Sequence, residues 1–348
     1  MPIANLLTAL SNDLGPDPIP AANVRTAFDR LFGAWRNRLD GLQPTQQETE
    51  QFITLMMRAV QAEAKPRSNA RLQALTKLRV FNATPGQIVF SEMDPHVVAF
   101  QLALRIREPA LIDQSELGLC GGNSLMVHFA RKSPEGYAEY AISLLKTGSG
   151  KFHSMDVAPS LATKWGWFTG KMAAADIVAL GSLGLGLIDK VVDLGASPGT
   201  LTSWLKKAGF QNAMDKTFTV TTAFSTNALL ENLNEAAADV TSGRLVVIAA
   251  DGDLQQYMHA GKVFAAGTAA AIRKSGAVAT ATGKVGPPGG IKPKDGLIRR
   301  TNHFTLVSRL RVSNNRVDIK LYTWGHSMQR SLDLNAFLTY YGGYVVAW

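Results

Sequence analysis

The chain has 348 residues, 46% of them apolar and 18% charged, which suits a folded protein with a sizeable core and excludes one that is disordered throughout. Its single cysteine, Cys120, rules out a disulfide within the chain and argues against a thiolate zinc site. The formal net charge of +9 is matched by residues 262–311 alone, which hold ten Lys or Arg against one acid, Asp295; such a segment is either a solvated loop or a surface that steers an acidic or nucleic-acid-bound partner.

The N-terminus has no basic n-region and no sustained apolar run, so no Sec signal is expected. Val24, Phe28, Leu31, Trp35 and Leu39 fall on one helical face, Phe52, Met56 and Val60 on another, and a third helical run ends near Phe81. Residues 1–85 are therefore read as a helical N-terminal region, followed by a second domain over residues 86–348. Within the latter, PHVVAFQLALRI reads as a helix, and Ser133 with Pro134 opens another that ends near Gly148.

The stretch Met172–Ile188 approaches the length of a membrane span, but it contains Asp176, Gly181, Gly184 and Gly186. That composition predicts a buried, kinked helix in a soluble protein. Ser197 and Pro198 then open a helix that stops at Gly209, residues 216–222 and 244–250 read as strands, and Thr226–Val240 between them has helical spacing. Residues 276–302 form a Gly/Pro-rich loop too long to be a mere connector. Beyond it, HFTLVSRLRV and RVDIKLYTWG alternate around Ser313, Asn314 and Asn315, which is the pattern of a β-hairpin.

A thiol attacks as its thiolate and needs a field that favours negative charge, such as a helix N-terminus beside an imidazolium. Cys120 begins CGGNSLMVHFARK, a predicted helix whose first residues, Gly121, Gly122 and Asn123, are small enough to admit a substrate. Of six histidines, His303 alone follows the long loop and opens the hairpin; His128 lies about two turns along the Cys120 helix, and His96, His153 and His259 have no comparable setting.

The order of Gln114, then Cys120 six residues later at a helix start, then a distant His303 opening a hairpin that ends in Trp324 and Gly325, resembles the papain-like cysteine proteases. The stretches LCGGNSLM and SPEGYAEYAISLLKTG are more similar to bacterial effector and toxin domains of that fold. The resemblance, which spans roughly residues 110–330, implies an α+β, papain-like fold in which the catalytic Cys at a helix N-terminus packs against an antiparallel sheet carrying the catalytic His. It also implies an oxyanion hole formed by Gln114 and the Cys120 N–H.

The family's usual Asn or Asp before the Trp is replaced by Tyr322 and Thr323. Hairpin register makes Thr323 the nearest polar partner for His303, with His326 and Ser327 as substitutes, and puts Asp318 near Arg311. A Cys120–His303 dyad without a third member also stays open.

The expectation is a cysteine endopeptidase of the effector or toxin type, needing no cofactor or metal, that reaches its protein substrate by secretion or by delivery into a target cell through a non-Sec route. An immunity or inhibitor protein is a further expected partner. The same thioester chemistry would serve a deamidase or transglutaminase. The remaining alternative is a noncatalytic basic binding module, without specific nucleic-acid readout because no reading motif accompanies the charge.

Overall fold

A computed structural model of the chain describes residues 2–34, 36–63, 67–115, 118–164, 172–185, 197–218, 226–252, 254, 258, 303–323 and 325–348. The protein is mixed α+β and divides into two compact units, one formed by residues 1–116 and 126–191, the other by 117–125 and 192–348.

The first unit is mainly helical. It contains α1 (Ile3–Leu14), α2 (Ala21–Ala34), α3 (Arg36–Leu39), α4 (Gln46–Gln61), α5 (Arg67–Ala83) and α6 (Pro95–Arg107). The helix α7 (Cys120–Lys132) gives residues 120–125 to the second unit and its remainder to the first, and α8 (Pro134–Thr147) follows. The α4 start is a capping box, with Thr45 and Glu48 each bonding the other's backbone N–H. At the end of α8, Gly148 adopts a left-handed conformation. A small hairpin, β1 (Gly150–Phe152) and β2 (Met155–Val157), was not anticipated from sequence; nor was α1 as a separate helix.

The apolar stretch after Met172 is a buried, interrupted helix: α9 (Ala174–Asp176), a π-helical turn over Ile177–Gly181, and α10 (Ser182–Leu185). Residues 186–188 of that predicted segment lie outside the described residues. The Tyr140 hydroxyl donates to the Ala179 carbonyl at 2.9 Å and holds the π turn. Among the described residues no helix is long and apolar enough to cross a membrane.

Asp176 accepts a bidentate pair of bonds from the fully buried Arg105, at 2.7 and 2.6 Å, and a third from the Asp113 N–H at 3.2 Å. The remaining Arg105 nitrogen reaches Asp40 at 2.8 Å. Burial opposes charge on both partners, and the fork-to-fork geometry offsets that opposition.

The second unit is built on a six-stranded antiparallel sheet. Its strands are β3 (Ala213–Thr217), β4 (Leu245–Ala250), β5 (His303–Ser313), β6 (Arg316–Thr323), β7 (His326–Asp333) and β8 (Tyr341–Ala347), in the spatial order β3-β8-β4-β5-β6-β7. Helices α11 (Pro198–Lys207), α12 (Thr226–Thr241) and α13 (Leu334–Tyr340) pack on it. LVVIAA in β4 is buried at every position, as a central strand covered on both faces requires.

The final strand, β8, lies between β3 and β4 and was not foreseen. Gly343 within it has φ +100°, and a Cβ there would meet the Lys216 carbonyl oxygen at 2.6 Å, so only glycine lets β8 approach β3. The β5–β6 hairpin forms where the sequence places it. Its two turn residues, Asn314 and Asn315, both have positive φ, the twist that a two-residue hairpin loop needs.

Replacing Asp176 with Ala leaves Arg105 short of its buried counter-ion. Asp176→Ala is expected to cost about 3–5 kcal/mol, read as a lower urea midpoint against the wild type.

Candidate active site

The site is built where α7 begins. The first helical i to i−4 bond runs from the Asn123 N–H to the Leu119 carbonyl at 2.7 Å, so the N–H groups before it have no acceptor inside the helix. Those of Cys120 and Gly121 favour negative charge on the nearby Cys120 sulfur. A third donor comes from the sheet, the backbone N–H of Phe304, the residue directly after His303.

Burial pushes the Cys120 thiol above its ordinary pKa, and the three N–H donors pull it down less strongly. Cys120 is 3% exposed and His303 6%. Gly121, Gly122 and Asn123 are buried as well, contrary to the expectation that they admit a substrate.

His303 opens β5 and pairs with Ala250, and Thr305 pairs with Ile248; strand alternation therefore puts His303 and Thr305 on one face. Val307 pairs with Leu321, which places Thr323 on that same face. The His303 Nε2 and Thr323 Oγ1 lie 2.7 Å apart, within hydrogen-bond distance. Alongside, the Thr305 hydroxyl donates to the Tyr322 carbonyl at 2.9 Å and ties the strands together beside Thr323. With the Nε2 proton donated to Thr323, the lone pair of the imidazole resides on Nδ1, which is the state a general base requires.

Cys120, His303 and Thr323 therefore all belong to the second unit. Gln114 belongs to the first, where it is buried with its Oε1 unbonded. His326 sits directly opposite Thr323 and Ser327 opposite Tyr322, while Asp318 pairs with Arg311, far along the hairpin from His303. His96 bonds Asn82 through Nδ1 at 2.9 Å. His128 is pushed down to about 3 by burial, reinforced by Lys132, His153 and Arg131, and so is neutral near pH 7.

Trp204 is buried in α11. His259, Trp165, Trp167, Trp324 and the basic segment up to residue 302 lie outside the described residues; Arg309 and Arg311, its last two cations, are exposed on β5. Among the described residues no group of three or more His, Cys, Asp or Glu could hold a metal.

Sequence reasoning did not find the Phe304 N–H, because a backbone donor carries no residue signature. It also passed over Thr305 and Ser124. The polar pair Asn123 and Ser124, three and four residues after Cys120 and just before the apolar run Leu125–Val127, is the signal that was legible.

The chain matches no protein-family model, no curated protein and no solved structure with which it was compared.

Valine has nearly the shape of threonine but no hydroxyl, so Thr323→Val takes away the hydroxyl beside His303 Nε2 and keeps the packing. A loss of about 1–3 kcal/mol in chemical denaturation is expected, with the sheet's circular dichroism unchanged.

Proposed function

We propose that this protein is a cysteine hydrolase of the bacterial effector or toxin type, cleaving a protein substrate with Cys120 as nucleophile, His303 as base and Thr323 as the residue that positions the imidazole. One observation carries the reading. His303 is held through Nε2 by Thr323 at 2.7 Å, while the N–H of the next residue on its strand favours negative charge on the Cys120 sulfur. Support also comes from the start of α7, whose field favours a thiolate.

In the proposed reaction the Cys120 proton passes to His303 Nδ1 and the sulfur attacks a peptide carbonyl. Backbone N–H groups at the α7 start stabilise the oxyanion, and the imidazolium returns its proton to the departing amine. Water then attacks the thioester, giving up a proton to His303, and the sulfur leaves and is reprotonated. Because the sulfur is buried, the acyl group reaches it only once the site opens.

Intact-mass analysis and gels of candidate protein substrates test the proposal. Wild type is expected to produce two fragments whose masses sum to the substrate plus water, Cys120→Ala none, and His303→Ala about 10²- to 10⁴-fold less product per unit time. Equal cleavage by wild type and Cys120→Ala would refute it. A product heavier by about one dalton, as swapping an amide NH₂ for OH requires, with no fragments, would replace endopeptidase by deamidase.

A further inference from the structure

Two buried polar atoms on α7 have no hydrogen-bond partner among the described residues: Oδ1 of Asn123, a residue 3% exposed, and Oγ of Ser124, 0% exposed. Native proteins rarely leave such groups unbonded, and a pair of adjacent ones calls for a cause. Their placement supplies one. They lie three and four residues after Cys120, hence on its face of the helix, and helical side chains lean toward the N-terminus.

Among the described residues the Ser124 hydroxyl, like that of Ser182, differs from several other helical hydroxyls. Thr8, Thr26, Thr76 and Thr241 each donate to the carbonyl four residues earlier, at 2.8–3.0 Å, the bond such side chains commonly make. Ser124 makes no such bond.

Side chains three and four apart on a helix stand about 5–6 Å from one another at Cβ. Neither atom bonds the sulfur directly, and a single molecule about 2.8 Å from each group spans that spacing. A buried water needs two to four polar partners, and Asn123, Ser124 and the Cys120 sulfur offer three.

We propose that Asn123 and Ser124 hold a buried water against the Cys120 sulfur and are positioning residues of the thiol site. The water accepts from the Ser124 hydroxyl and donates one O–H to Asn123 Oδ1 and the other to the sulfur. As a donor it adds to the N–H groups of Cys120, Gly121 and Phe304 and further offsets the burial that disfavours the thiolate. The inference rests on Cys120 being the nucleophile, and its test is read separately from substrate cleavage.

The protein's single cysteine allows thiolate formation to be followed by its ultraviolet absorption, taking full-length wild type minus Cys120→Ser as the signal. The strand that touches the sulfur brings His303, and residues 120–125 contain no other titratable side chain, so His303 is kept constant throughout. Ser124→Ala and Asn123→Ala are each expected to raise the thiol midpoint by about one pH unit, a tenfold loss of thiolate at a fixed pH below it. Ser124→Ala is expected to lower the melting temperature slightly, because it takes one hydrogen-bond partner from the bridging water.

Unchanged midpoints in both variants would overturn the inference while leaving the Cys120 cleavage assay to stand or fall on its own. Should a variant fail to fold, a crystal structure of the wild type decides: a water bonded to Sγ, Oδ1 and Oγ supports the proposal, and direct packing of these atoms without water overturns it.

Discussion

The antiparallel pairing of β5 with β6 is the constraint on which the candidate site depends. Two asparagines with positive φ close the hairpin, and the ladder that runs back from them, through one irregularity at Val307 and Arg309, determines which residue of β6 reaches the start of β5. A slip of one residue would turn Thr323 to the opposite face and leave a buried imidazole without its hydroxyl. The buried bond from Thr305 to the Tyr322 carbonyl secures that register next to the histidine.

The thiol side is governed by competing electrostatics. Burial takes Cys120 away from the water that would stabilise its charged form, while the start of α7 and the first residues of β5 surround the sulfur with backbone donors. These donors are fixed by secondary structure and need no rearrangement when charge appears on sulfur, which is the property that makes preorganised dipoles effective. Within the second unit, sheet and helix start thus contribute different things: orientation of an imidazole from side chains, and a field for a thiolate from backbone.

Much of the architecture was legible in local pattern. The helices of residues 21–83, the helix opened by Ser197, the strand over 245–250 and the hairpin around Asn314 and Asn315 all follow from periodicity, caps and turn chemistry. The strand predicted at 216–222 begins earlier, at Ala213, and its predicted end at residues 219–222 lies outside the described residues. β7 and β8 were missed because neither carries a clean alternation; YGGYVVA is a central strand whose two glycines lower its local strand signal.

From the sequence alone came a single cysteine at a helix start, a histidine opening a hairpin, and a threonine that hairpin register carries back to that histidine. These are local or nearly local facts, set by spacing and turn geometry over a few tens of residues. Only the tertiary structure decided that the Phe304 N–H acts on the sulfur, that the glycines after Cys120 are buried, and that Asn123 and Ser124 find no partner among the described residues. Each of those outcomes depends on which distant segments share a neighbourhood. Burial and backbone hydrogen bonding between such segments are properties of packing, and no residue's identity encodes them by itself.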